Sequence, residues 1–281
     1  MKTLVAIIAF AALMYGCSSV PLTGRKQLSL VSDSEVLALS LQQYNEYIGS
    51  APKSTNATQK NMVTRIGQNI ANAVARYMEA AGTESALNGF SWEFTLVEDN
   101  QVNAFCMPGG KIVVYTGILP YTQDETGLAV VIGHEVAHAV AKHANERMSQ
   151  QVMAQYGSSA VGMVLGNNPK MQAIGQTVYG LGTEYGIMLP YSRKQEFEAD
   201  YLGLIFMAIA GYDPSQAIPF WERMSQQGTS TPEFMRTHPS DAIRIEEIRK
   251  HLPEALQYYT GKPQTPSSGN SNTNTNSQWK F

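Results

Sequence analysis

Apolar residues recur at helical spacing in the first half of the chain, where Val63, Ile66, Ile70, Val74 and Tyr77 fall on one face of a helix predicted over about 59–81. Gly82 is its stop signal. Upstream, Ser32 and Glu35 have the three-residue spacing of a capping box, which opens a helix through about Ile48. The period then shortens to two: Phe90, Trp92, Phe94 and Leu96 alternate with polar or small residues, and the apolar stretches 101–107 and 111–116 flank Pro108-Gly109-Gly110. Together these predict a small three-stranded antiparallel meander. Thr122 and Glu125 repeat the capping-box spacing, and helical periodicity runs from there to about Met148. Val130, Val131, Ile132, Val136, Ala137, Ala139 and Val140 leave that helix apolar almost all round, so it is expected in the interior.

Residues 152–189 are rich in glycine and apolar side chains, with a turn at Asn167-Asn168-Pro169. Gln155, Ser158, Ser159, Gln172 and Gln176 interrupt both halves, and each half is short for a bilayer, so a mobile flap is expected in place of a transmembrane hairpin. Ser192 caps a further helix to about Ala210, stopped by Gly211, and Asp213-Pro214 begins the next. From Thr260 the composition turns to Pro, Ser, Gly, Asn and Thr, a disordered tail. The expected fold is α+β and mostly helical, with an active-site helix beside the small antiparallel sheet.

Length and charge narrow this picture. A chain of 281 residues buries a full core, and a formal net charge of -3 offers no basic surface for nucleic acid. At the N-terminus, Lys2 precedes an apolar run over 4–15 that is too short to span a bilayer as a helix. It ends in Met14-Tyr15-Gly16-Cys17-Ser18-Ser19, which resembles a bacterial lipoprotein signal. That resemblance implies a signal peptide over 1–16, an acylated Cys17, a tether over 17–31, a catalytic domain over 32–259 and the tail over 260–281. Ser18 and the lack of an acidic run after Cys17 point to the outer membrane of a Gram-negative bacterium, facing the periplasm. With Cys17 acylated only Cys106 remains, so no intrachain disulfide forms, and Cys106 reads as a small core residue.

The chemistry lies in His134-Glu135-Val136-Ala137-His138. Two imidazoles one turn apart on one helix face can both reach a single zinc at about 2.0–2.1 Å. Glu135 then lies beside the metal, where it can take a proton from an activated water and pass it to the leaving amine. The metzincin extension would need glycine at 141 and histidine at 144, but the chain has Ala141 and Ala144. Glu196-Phe197-Glu198-Ala199-Asp200 instead puts Glu196 and Asp200 on one face of a later helix, so Glu196 can complete a His2Glu site and Asp200 can accept a ring N–H from a zinc histidine. Glu198 points about 160° away from Glu196, toward solvent or a salt bridge, and His143 lies about 140° around from His138, as a structural or exposed histidine.

These segments, with Pro21-Leu22-Thr23-Gly24-Arg25, Asn103-Ala104-Phe105, Pro108-Gly109-Gly110, Thr116-Gly117, Ser192-Arg193 and His238-Pro239, resemble the gluzincin metallopeptidases that include the HtpX heat-shock protease, the CAAX prenyl endopeptidases and periplasmic lipoprotein peptidases. The resemblance covers about Pro21 to His251. It implies one zinc per chain on His134, His138 and Glu196, catalysis by Glu135, support from Asp200, and His238 near the active site as oxyanion donor or as a latch on the open zinc position. Stretch 101–107 or 111–116 would offer a sheet edge to an extended peptide. The expected function is endopeptidic cleavage of unfolded or misassembled cell-envelope proteins. A non-enzymatic zinc-holding chaperone or scaffold and a zinc hydrolase of cell-wall peptides are the alternatives.

Overall fold

The computed structural model describes residues 17–156, 192–226, 232–239 and 242–261. The expected signal peptide, almost all of the expected flap and nearly all of the expected tail lie outside the described residues. A two-stranded hairpin opens the structure, β1 (Cys17–Ser19) pairing antiparallel with β2 (Lys26–Leu28). Two helices follow, α1 (Asp33–Ser50) and α2 (Ala57–Ala80). Next come β3 (Glu93–Val97), β4 (Ala104–Met107), β5 (Lys111–Tyr115) and the short helix α3 (Leu119–Thr122). The remainder is helical: α4 (Glu125–Val140), α5 (His143–Tyr156), α6 (Arg193–Ile209), α7 (Ala217–Ser225), α8 (Glu233–Thr237) and α9 (Ala242–Ala255).

Most of the local signals are realised. Ser32 with Glu35 and Ser192 with Gln195 form complete capping boxes on α1 and α6. On α2, Val63, Ile66, Ile70 and Val74 are fully buried, as the 3.6-residue stripe requires. The N-cap of α4 is Asp124, whose side chain accepts from Gly127 N at 2.8 Å, and not Thr122. The helix that carries the His134–His138 pair also stops earlier than expected. Lys142 takes φ +57°, a left-handed conformation that redirects the chain and starts α5 at His143.

The three-stranded sheet is present, but its order is β3-β5-β4, and β3 pairs with β5 in parallel while β4 and β5 are antiparallel. This corrects the antiparallel meander. Alternation identifies strands and says nothing about their neighbours; the turn at Pro108-Gly109-Gly110 folds β5 back between the other two. β5 lies between β3 and β4, so it is the central strand and not an available edge, and all its residues are buried. Its side chains alternate between two cores. Ile112 and Val114 join α2, α4 and α6, whereas Val113 and Tyr115 join Val36, Tyr44 and Ile48 of α1. Each such fully buried aliphatic side chain contributes about 1.5–3 kcal/mol, and covering both faces explains why β5 reads as a continuous apolar run.

Residues 17–31, expected as a tether, are built into the domain. Val20 is buried in the main core, Val31 in the second, and Leu30 N donates to Ser149 Oγ of α5 at 2.9 Å. Among the described residues no helix is long and apolar enough to cross a membrane.

Candidate active site

Helices α4 and α6 cross with glycine against glycine. A Cβ on Gly203 would stand 3.0 Å from His134 N, and one on Gly133 would stand 3.1 Å from Gly203 O, so a side chain at either position would press the two backbones apart by a few tenths of an ångström. That approach brings His134 and His138 of α4 against Glu196 of α6. His134 Nε2 lies 3.0 Å from His138 Nε2 and 3.4 Å from Glu196 Oε2, and His138 Nε2 lies 3.4 Å from Glu196 Oε1. Donors at about 2.0–2.1 Å from one tetrahedral zinc would be roughly 3.3 Å apart, so the three groups have the spacing and the N/O chemistry of a His2Glu site. His238 completes the group: its Nδ1 is 3.1 Å from both His134 Nε2 and Glu196 Oε1, and one ligand atom from each of the four residues lies within 4.8 Å of the others. All four are buried.

Glu135, between the two histidines, is fully buried and lies against the Cys106 thiol of β4. Neither of its carboxylate oxygens accepts a hydrogen bond from an N–H or O–H among the described residues, and His238 Nε2 stands 3.4 Å from Oε1. Burial pushes Glu135 above the ordinary carboxylate range even though the charges of His238 and His134 pull it down. Glu196 behaves oppositely. Burial opposes its charge, but His238, Arg244 and His134 outweigh it and hold this carboxyl well below its ordinary value. Burial and the neighbouring His134 push His138 well below its usual range, while His134 itself, against burial, is held up to about 9 by its bonds to Asp200 and Glu196.

His134 and His138 each have their Nδ1 engaged. His134 Nδ1 is 2.9 Å from Asp200 Oδ1, the support expected from the sequence. Asp200 in turn accepts from Arg244 Nε at 2.6 Å and Nη2 at 2.8 Å, and Arg244 Nη1 sits 2.8 Å from Glu196 Oε2. The guanidinium is buried 3.6 Å from the centroid of the Trp221 ring, which also packs edge-on against His134. The sequence reading passed over Arg244. The available signal was its position four before Ile248, on the buried face of α9, whereas Ile243 is exposed. His138 Nδ1 meets His143 Nδ1 at 2.8 Å, and His143 Nε2 meets Glu198 Oε2 at 2.9 Å. His143 is therefore a buried structural histidine, and Glu198 is a salt-bridge residue and not a solvated one. Cys106 is buried in the core as expected. Of the two strands expected as a peptide-binding edge, only β4 is at an edge.

Comparison with known proteins places this geometry in context. The model of peptidase family M48 matches residues 65–252. The chain is 38% identical over 186 residues to the mitochondrial metalloendopeptidase OMA1 of Schizosaccharomyces pombe, covering 65% of this chain and 53% of that protein. It is 37% identical over 184 residues to the Arabidopsis thaliana mitochondrial metalloendopeptidase OMA1, covering 64% and 36%. The beta-barrel assembly-enhancing protease of Escherichia coli is 28% identical over 198 residues, 65% of this chain and 40% of that one. The chain spans about half the length of the relatives matched first. These findings overturn the expected Gram-negative outer-membrane, periplasm-facing location: the similar proteins of fungi, plants and animals are mitochondrial enzymes.

Proposed function

The chain belongs to peptidase family M48, and from that premise we propose that it is a zinc-dependent metalloendopeptidase acting on unfolded or misassembled polypeptides. The observation that carries the reading is Glu135: a fully buried carboxylate without an N–H or O–H donor, beside a cluster of two histidines and a glutamate. Burying a carboxylate whose polar neighbours are only a thiol and an imidazole at 3.4 Å is unfavourable, and a purely structural zinc site has no use for it. His134, His138 and Glu196 would hold the zinc, which when bound would supply Lewis acidity to water and to the scissile carbonyl. Glu135, its proton affinity raised by burial, accepts the proton of the attacking water and delivers it to the departing amine. Asp200 and Arg244 orient His134 and Glu196 for this work.

The names of the relatives support the same class: metalloendopeptidases, among them a protease that enhances β-barrel assembly. For His238 the latch is favoured over the oxyanion role. Its Nδ1 lies 3.1 Å from both His134 Nε2 and Glu196 Oε1, within reach of a metal that those residues would hold. Attachment to a membrane through an acylated Cys17 belongs to the same proposal.

Glu135→Gln tests the mechanism. It is expected to retain one zinc per chain and to lose hydrolysis of an unfolded reporter protein by about 10²–10⁴-fold, the usual worth of a general base. Parent-like turnover by this variant would remove Glu135 from the reaction. Digesting purified cell wall in parallel separates the peptidase reading from a cell-wall hydrolase.

A further inference from the structure

We propose that the hairpin turn of Thr23 and Arg25, in the segment that precedes the matched peptidase region, is a positioning element for the metal ligand His138. The inference rests on the metallopeptidase reading and extends it to residues outside the match.

A chain of hydrogen bonds runs outward from His138. If Nε2 is the metal-facing nitrogen, the neutral imidazole must carry its proton on Nδ1. The partner of that N–H is His143 Nδ1 at 2.8 Å, which must then present a lone pair. His143 consequently carries its own proton on Nε2 and donates it to Glu198 Oε2 at 2.9 Å. One proton arrangement satisfies the whole chain, and it requires Glu198 to be an ionised acceptor held in place. Only the N-terminal turn and His143 bond to Glu198 among the described residues: Thr23 Oγ1 donates to Oε1, and Arg25 Nε donates to Oε2 at 2.7 Å. Arg25 is itself fixed by a fork onto Glu146 of α5, with Nη1 to Oε1 at 3.0 Å and Nη2 to Oε2 at 2.8 Å. Gln195 of α6 donates to the same Glu146 at 2.9 Å.

Arg25 thus joins α5, which carries His143, to α6, which carries Glu198 and Glu196. The turn that presents it is tightly specified, with Val20 N to Arg25 O at 2.8 Å, Gly24 N to Val20 O at 3.0 Å, and Gly24 at φ +69°. Burial of Val20 anchors the turn from below. A bidentate guanidinium is needed for two carboxylates on two helices, and the single point charge of lysine cannot replace it. The prediction is that metal retention, and not merely folding, depends on this turn.

The test uses the full chain as parent, Arg25→Ala, Arg25→Lys and Thr23→Val, with Arg65→Ala as a control that removes only the exposed pair with Glu125. Zinc affinity is measured by competition with a chelator, ligand geometry by the visible spectrum of the cobalt-substituted protein, and folding by circular dichroism of the metal-free forms. Arg25→Ala should weaken zinc about 10–100-fold and shift the cobalt bands, the usual effect of losing an outer support of a ligand. Arg25→Lys should recover part of both, Thr23→Val should shift both in the same direction by less, and Arg65→Ala should match the parent. Thr23→Val keeps the side-chain shape and decides the matter if Arg25→Ala does not fold. Zinc affinity within twofold of the parent and an unchanged cobalt spectrum in the folded variants would overturn this inference alone. A parent that holds no zinc would overturn the metallopeptidase reading and this inference with it.

Discussion

Arg244→Met is the substitution for which the structure sets the size of the effect. The guanidinium is 1% exposed and sits against Asp200, 7% exposed, and Glu196, 1% exposed. Its removal leaves two carboxylates without the guanidinium, and a methionine retains only the aliphatic stem of the side chain. Breaking one side of a buried ion pair typically costs about 3–5 kcal/mol, and the lost cation–π contact, at 3.6 Å from the ring centroid, adds up to about 2 kcal/mol. We therefore expect the metal-free protein to lose about 3–5 kcal/mol or more in urea unfolding followed by circular dichroism. At roughly 2–4 °C per kcal/mol for a domain of 150–250 residues, Tm should fall by about 6–20 °C. The charge argument has its own control. Asp200→Asn removes one of the stranded carboxylates, so the double variant should be less destabilised than the sum of the singles by about 1–3 kcal/mol. A Tm within about 2 °C of the parent, or strict additivity in the cycle, would refute the claim that Arg244 holds these two carboxylates.

Two further outcomes concern single residues. His238→Ala should raise hydrolysis of an unfolded protein at matched zinc occupancy, by about tenfold for a latch closed in roughly nine molecules of ten; a fall of about a hundredfold would assign His238 to the oxyanion, and an unchanged rate would reject both roles. Cys17→Ala should abolish incorporation of labelled fatty acid and release the protein from membranes, and a variant that still resists carbonate extraction would disprove the acyl anchor.

What the sequence determined by itself was most of what short-range periodicity governs, though not the cap at Thr122 or the end of the active-site helix. His134 and His138 share a face because an α-helix turns once in 3.6 residues, and Glu135 must lie beside them for the same reason. The capping boxes at Ser32 and Ser192, the buried stripe of α2 and the pairing of Glu196 with Asp200 on one face of α6 follow from the same local geometry. Tertiary structure decided whatever depends on a partner distant in the chain. The left-handed Lys142 breaks the expected long helix, so His143 returns to meet His138 instead of lying about 140° around from it. The insertion of β5 between β3 and β4 leaves β4 at the edge beside Glu135. Gly133 and Gly203, unremarkable in the sequence, set how closely α4 and α6 approach. Arg244 and Arg25 converge on the site from opposite ends of the chain, 110 and 113 residues from His134 and His138 respectively. A hydrophobic or helical period is set by neighbours within a few residues. The position of a buried charge is set by the unpaired carboxylate it must neutralise, and only the packed fold determines where that carboxylate lies.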